Sequence, residues 1–173
     1  MSKESIYIER FKDLALETSL AFGVPASIVM AQSILESGWG ESDLAKNYNN
    51  YFGIKCHGNT NCIDLGSGTL WRYYLKPKYS FHDYGIFLNE NSIYESCFDT
   101  NDYKDWANCL QNQGYAGSST TYANKLIKII EDYQLENLDD IVENKITNFK
   151  RRPIYALVLL SGLVWGVGRS RES

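Results

Sequence analysis

The sequence predicts an α+β domain that is mainly α. Three observations predict it. Apolar residues recur at helical spacing over 5–22, 25–37, 77–89, 103–113 and 121–133. The block 56–75 breaks that period. There the turn clusters Gly58-Asn59-Thr60-Asn61 and Gly66-Ser67-Gly68 bound the runs Cys62 to Leu65 and Thr69 to Leu75, which suit a small β-hairpin. Finally, 173 residues with 44% hydrophobic content suffice for one domain with a real core and an appendage.

The first helix carries Tyr7, Phe11, Leu14, Ala15, Thr18 and Phe22 on one stripe, and Gly23 is placed to end it. Pro25 suits the first turn of the second helix, which runs to Ser37. Ile28, Ala31 and Leu35 form its stripe, with Gln32 and Glu36 adjoining, and Gly38 and Gly40 stop it. Ser42 can cap a short helix over 43–46. After the hairpin, Pro77 opens a long helix to Asn89, striped by Phe81, Tyr84, Phe87 and Leu88. The stretch 93–98 fits either period. Trp106, Cys109 and Leu110 face inward from the next helix, and Tyr122, Leu126, Ile129, Ile130 and Tyr133 from the last.

This organisation divides the chain into a body, 1–133, a charged, partly helical linker, 134–152, and an apolar C-terminal segment, 153–169. The run 154–168 holds no charge, is flanked by Arg151-Arg152 and Arg169, and has Tyr155 and Trp165 near its ends. Such a helix spans roughly 23 Å, short of the ~30 Å hydrocarbon core unless arginines snorkel. It suits a membrane anchor or a helix packed on a partner. The net charge of −4 conceals an asymmetry. Lys145, Lys150, Arg151, Arg152, Arg169 and Arg171 stand against Glu172 alone, a balance of +5, so the remainder is −9. An acidic body without a basic stripe argues against nucleic acid as partner. A basic tail around an apolar run favours contact with a membrane surface. Met1 to Arg10 is polar and charged, without the apolar core of a secretory signal. Cys56, Cys62, Cys97 and Cys109 allow two disulfides, with 56–62 and 97–109 the simplest pairing. Four reduced thiols, or a zinc site using Cys56, His57 and Cys62, are the alternatives.

The stretch Ile28 to Lys55 carries the chemistry. Glu36 is a carboxylate near the end of an apolar helix, where desolvation raises the pKa and makes a proton donor. A Ser-Gly-Trp-Gly turn and a loop dense in Asn and Tyr follow. Aromatic rings and amides suit a sugar, which offers apolar faces and many hydroxyls. The run Pro25-x-x-Ile28-x-x-Ala31-Gln32-Ser33-x-Leu35-Glu36-Ser37-Gly38-Trp39-Gly40 leads on to Asn49-Asn50-Tyr51-Phe52-Gly53-Ile54-Lys55. Further on stand Ser80-Phe81-x-Asp83-Tyr84, Gly114-Tyr115-Ala116 and Tyr122-Ala123-x-Lys125-Leu126. Together, over residues 8–133, these resemble the bacterial glucosaminidases of glycoside hydrolase family seventy-three, which include flagellar rod-cap hydrolases, autolysins and phage endolysins.

The resemblance implies a lysozyme-like fold, with an α-lobe, a small β-hairpin lobe and a cleft between. It implies cleavage of the β-1,4 bond after N-acetylglucosamine in peptidoglycan glycan strands, with Glu36 as general acid and no cofactor or metal. A second carboxylate is usual in glycoside hydrolysis. The family often has a glutamate on its hairpin, but no glutamate lies between Glu41 and Glu90 here, and Asp64 is the nearest substitute. If Asp64 is a solvated hairpin residue, the substrate's N-acetyl group or a water held by Tyr115 must serve. The resemblance places Tyr115 and Tyr122 near the acid. Trp39 and Tyr51 are candidate sugar platforms, Asn50 a candidate N-acetyl donor and Phe52 a further candidate contact. Trp39 could instead lock the turn, and Tyr122 could be structural. A lytic transglycosylase of the same fold, needing one carboxylate, and a non-catalytic wall-binding module are the competing readings. Action at the bacterial envelope without a secretory signal suits a phage-delivered or tail-anchored enzyme.

Overall fold

The computed structural model describes residues 1–56 and 61–150. Its helices are α1 (Lys3–Phe22), α2 (Ala26–Ser37), α3 (Asp43–Tyr48), α4 (Pro77–Glu90), α5 (Tyr103–Asn112), α6 (Tyr122–Tyr133) and α7 (Asn137–Lys150). The stretch that fitted either period lies in a 3-10 helix, Ser92–Asp99. Strands β1 (Cys62–Asp64) and β2 (Leu70–Arg72) form an antiparallel pair, with Cys62 opposite Arg72 and Asp64 opposite Leu70. Ile54 to Cys56 run along the other edge of β2, where Arg72 N–H donates to the Ile54 carbonyl and Cys56 N–H to that of Leu70. The α+β, mainly helical expectation therefore holds.

Helix α2 is the axis of the molecule. Ile28, Val29, Met30, Ala31, Gln32, Ser33 and Ile34 are all buried, so the helix is enclosed on every side. It packs against α1, α5 and α6. Its entry residue, Pro25, offers no capping side chain. The orphan Ser27 N–H instead donates to Asp139 Oδ1 at 3.0 Å, a cap supplied by α7 from 112 residues away. Helix α4 approaches α1 so closely that a Cβ at Gly85 would overlap the Phe22 ring.

Leu135, Leu138 and Val142 are buried, and the compact unit extends from Met1 to Val142. The expected linker is thus part of the body over its first residues, because its apolar positions and Asp139 both have partners there. Glu143 onward forms a separate unit, described as far as Lys150. The apolar run 154–168 lies outside the described residues. Among those described, no helix is long and apolar enough to cross a membrane. Cys56 is joined to Cys62 and Cys97 to Cys109. With those sulfur atoms spent, the reduced-thiol and zinc alternatives have no free cysteine to use. The first disulfide closes the base of the hairpin, and the second ties the 3-10 helix to α5.

Candidate active site

The end of α2 is bent back sharply. Gly38, Trp39 and Gly40 follow one another at φ of 57°, 63° and 75°. A left-handed tryptophan costs on the order of 1–2 kcal/mol. Its ring contacts offset that cost: it meets Tyr7 edge-on at 5.8 Å and Tyr133 at 4.9 Å. Ser37 Oγ accepts the Gly40 N–H at 2.8 Å, and a Cβ at Gly40 would stand 3.0 Å from the Tyr7 ring. The turn is therefore bolted to α1, and Glu36 sits one residue before it, half-buried, on the wall of a cleft.

The cleft at Glu36 has a volume of about 240 Å³, and a separate apolar groove between α1 and α4 has about 380 Å³. The larger groove holds no part of the constellation below. The smaller is lined by Glu36, Phe52 to Lys55, Arg72, Phe87, Tyr94 and Tyr115. Burial pushes the Glu36 carboxyl above its ordinary range, opposed by a hydrogen bond from Tyr122 and the charge of Lys125. Tyr122 donates to Glu36 Oε1 at 2.7 Å, and Gln32 Nε2 donates to the Tyr122 hydroxyl at 2.8 Å. Tyr84 in turn donates to Gln32 Oε1. Tyr115 stacks on Tyr122 at 5.8 Å, and its hydroxyl lies 3.5 Å from the Phe52 carbonyl. Burial raises the phenols of Tyr84, Tyr115 and Tyr122, so all three stay protonated.

The opposite wall is held differently. One Arg72 nitrogen donates to both oxygens of Asp83, at 2.7 and 2.6 Å, and the Tyr74 hydroxyl donates to the same carboxylate at 2.6 Å. Lys55 is exposed, with its ammonium 6.0 Å from the centre of the Trp71 ring.

Several expected contacts are corrected by these positions. Asn50 is 1% exposed. Its amide donates to the Ile54 and Arg72 carbonyls and accepts the Ile54 N–H, leaving nothing for an N-acetyl group. Tyr51 is buried among Phe11 and Phe81 and offers no platform. Trp39 locks the turn and does not line the cleft. The Phe52 ring is stacked on Tyr84 at 4.0 Å, and the residue borders the cleft while only 2% exposed. Asp64 is exposed and accepts from Gly66 and Gly68 N–H at 2.8 and 3.2 Å. It caps its own turn, and it is absent from the cleft lining.

Residues 12–135 match the glucosaminidase family, described as mannosyl-glycoprotein endo-beta-N-acetylglucosaminidase. The chain belongs to this family. Exo-glucosaminidase LytG of Bacillus subtilis is 27% identical over 157 residues, which cover 82% of this chain and 55% of LytG. Peptidoglycan hydrolase FlgJ of Vibrio parahaemolyticus is 29% identical over 143 residues, 71% of this chain and 45% of FlgJ. The chain thus spans about half the length of these relatives. The catalytic domain of the autolysin Auto from Listeria monocytogenes superposes with a TM-score of 0.69 at 26% identity, covering 80% of this chain and 89% of that one. The lysozyme-like glucosaminidase fold expected from the motifs is the fold observed.

Within this glucosaminidase-family domain, sequence reasoning gave no role to Gln32, Tyr84, Arg72 or Asp83. One signal was available for Gln32: it stands four residues before Glu36, on the same helix face, in an otherwise apolar run. Arg72 and Asp83 are eleven residues apart across a turn and a helix start, a pairing no local spacing reveals.

Proposed function

We propose that this domain hydrolyses the β-1,4 bond after N-acetylglucosamine in peptidoglycan glycan strands, with Glu36 as the proton donor. The observation that carries the proposal is a single half-buried carboxylate on a cleft wall, raised by burial and held by Tyr122. The relatives, an exo-glucosaminidase and a peptidoglycan hydrolase, supply the substrate class. Glu36 gives its proton to the glycosidic oxygen as the bond from that oxygen to the anomeric carbon breaks. The cation that develops is captured by a water or by the substrate's own N-acetyl carbonyl oxygen. In either route a water completes the hydrolysis, bonding to the anomeric carbon directly or as it opens the oxazolinium ring, and the ionised Glu36 takes back that water's proton. Throughout, the Tyr122 O–H steadies the carboxylate that the transfer leaves behind.

One observation favours a second reading. Among the described residues lining the cleft, Glu36 is the one carboxylate, and Asp83 nearby is tied to Arg72. A lytic transglycosylase needs no second acid. Mass spectrometry of the products from purified peptidoglycan separates the two. Reducing N-acetylglucosamine ends are expected. Anhydro-muramyl ends would replace the hydrolase with the transglycosylase, and no release from folded protein would leave a wall-binding module. Phage delivery, and membrane contact through 153–169, are supported by the charge and hydropathy of the tail alone. Host lysis by residues 1–150 equal to that of the full chain would remove the tail from the delivery step.

A further inference from the structure

Two buried polar side chains sit behind the acid without reaching the cleft. Gln32 and Tyr84 are each 0% exposed, and neither lines it. Chemistry sets the direction of their hydrogen bonds. An ionised Glu36 can only accept, so the Tyr122 hydroxyl donates to Oε1. The Gln32 atom facing the Tyr122 oxygen must then be a donor, the amide nitrogen. That turns the amide oxygen towards Tyr84, whose hydroxyl donates to it. The chain from Tyr84 through Gln32 and Tyr122 to Glu36 therefore runs one way.

The direction matters once Glu36 is protonated. A neutral carboxyl has a second arrangement open to it: its own proton points inward to Tyr122, Tyr122 donates to the Gln32 oxygen, and the amide is flipped. The acid's proton is then held in the core instead of at the cleft. Tyr84 opposes this, because a flipped amide would set N–H against its buried O–H and leave that donor without an acceptor. We propose that Gln32 and Tyr84 are positioning residues that keep the Tyr122 proton on Glu36 Oε1, so that the acid's own proton stays on Oε2. The inference rests on the reading of Glu36 as the acid. The titratable groups facing Glu36 are Tyr122 and Lys125 of α6, Tyr84 of α4, Tyr115 before α6, and Lys55, Arg72 and Tyr94 around the cleft.

The test is carbon-13 titration of the Glu36 side-chain carboxyl in the full chain, its signal identified by its loss in Glu36→Gln. Gln32→Glu is nearly isosteric but has no amide nitrogen, so its new carboxyl draws the Tyr122 proton away from Glu36. An upward shift of about one pKa unit or more is expected. Tyr122→Phe also shifts it upward. The double variant should fall well short of the summed shifts, since no Tyr122 proton is left to divert. Shifts that simply add would mean charge repulsion alone and would overturn the proposal.

Should the buried charge of Gln32→Glu prevent folding, Tyr84→Phe carries the same test without one. It frees the amide to flip and gives the neutral acid a second arrangement, a factor of two or about 0.3 unit upward. Adding Gln32→Leu removes the alternative acceptor and should return the titration to its original position. An unmoved Tyr84→Phe titration, or a double variant displaced further, would sink the relay. These readouts do not depend on turnover. Inactivity of Glu36→Gln with unmoved titrations would discard the relay and keep the acid, and the converse pattern would discard the acid and keep the relay.

Discussion

The two walls of the cleft are built on different principles. The wall that carries Glu36 is part of the core: α2 is enclosed on all sides, and the acid's hydrogen-bond partners are themselves buried. The wall that carries Lys55 and Arg72 belongs to a two-stranded sheet that cannot be stable alone. It is hung from the body by the Asn50 amide, the Arg72–Asp83 pair and the backbone bond from Tyr74 to Tyr48. The difference teaches where each kind of function resides. On the proposed function, proton transfer would be tuned by a buried, desolvated surround. Substrate grip would then fall to a wall whose position depends on a few polar contacts.

Substitutions can break or sharpen that contrast. The largest effect is expected at Glu36. Glu36→Gln should lower the rate of glycan release by about 10²–10⁴-fold, the usual scale of general acid catalysis. It should also stabilise the fold at neutral pH. Burial raises the folded pKa above the ordinary 4.5, so between those values the folded state holds a proton that the unfolded state has lost. Stability therefore falls as pH rises through that window. Melting curves should place the variant above the wild type at pH 7, with the gap closing below about pH 4.5. A variant that melts lower at every pH would contradict the burial argument.

On the other wall the effect should be on stability and on the hold over substrate. Asn50→Ala strands the buried Ile54 N–H and takes a donor from the Ile54 and Arg72 carbonyls, the former keeping the Arg72 N–H, and a cost of about 1–3 kcal/mol is expected in urea titrations. KM should rise more than kcat falls. Asp83→Asn leaves Arg72 without its counter-charge. Because the pair is partly solvated, about 2 kcal/mol is the expected loss, reduced by added salt. Asp64→Ala should have the smallest effect, about 0.5–1 kcal/mol for two exposed turn hydrogen bonds, with activity within about twofold. A drop of a hundredfold or more there would restore Asp64 as the second carboxylate and show that the hairpin moves inward on binding.

Much of this molecule is local information. Apolar spacing of 3.6 residues locates α1, α4, α5 and α6, since each must bury one face, while α2, enclosed on every side, is bounded by Pro25 and by Gly38 and Gly40. Gly-rich clusters locate the hairpin, and the Leu35-Glu36-Ser37-Gly38 sequence places an acid at a helix end before any contact is known. Tertiary structure alone decided which polar groups meet. Asn50, Tyr51 and Trp39 suit a sugar by type. Packing turned them instead to the hairpin backbone, the core and the turn, because a buried amide must satisfy its own bonds first. Gln32 and Tyr84 look like core positions in sequence, yet they form the line of hydrogen bonds behind the acid. Asp139, in a stretch that looks like a linker, caps the helix that holds everything together. Periodicity reports which face is buried. It carries no information on what that face meets, since a hydrogen bond between Ser27 and Asp139 depends on geometry created by every element folded between them.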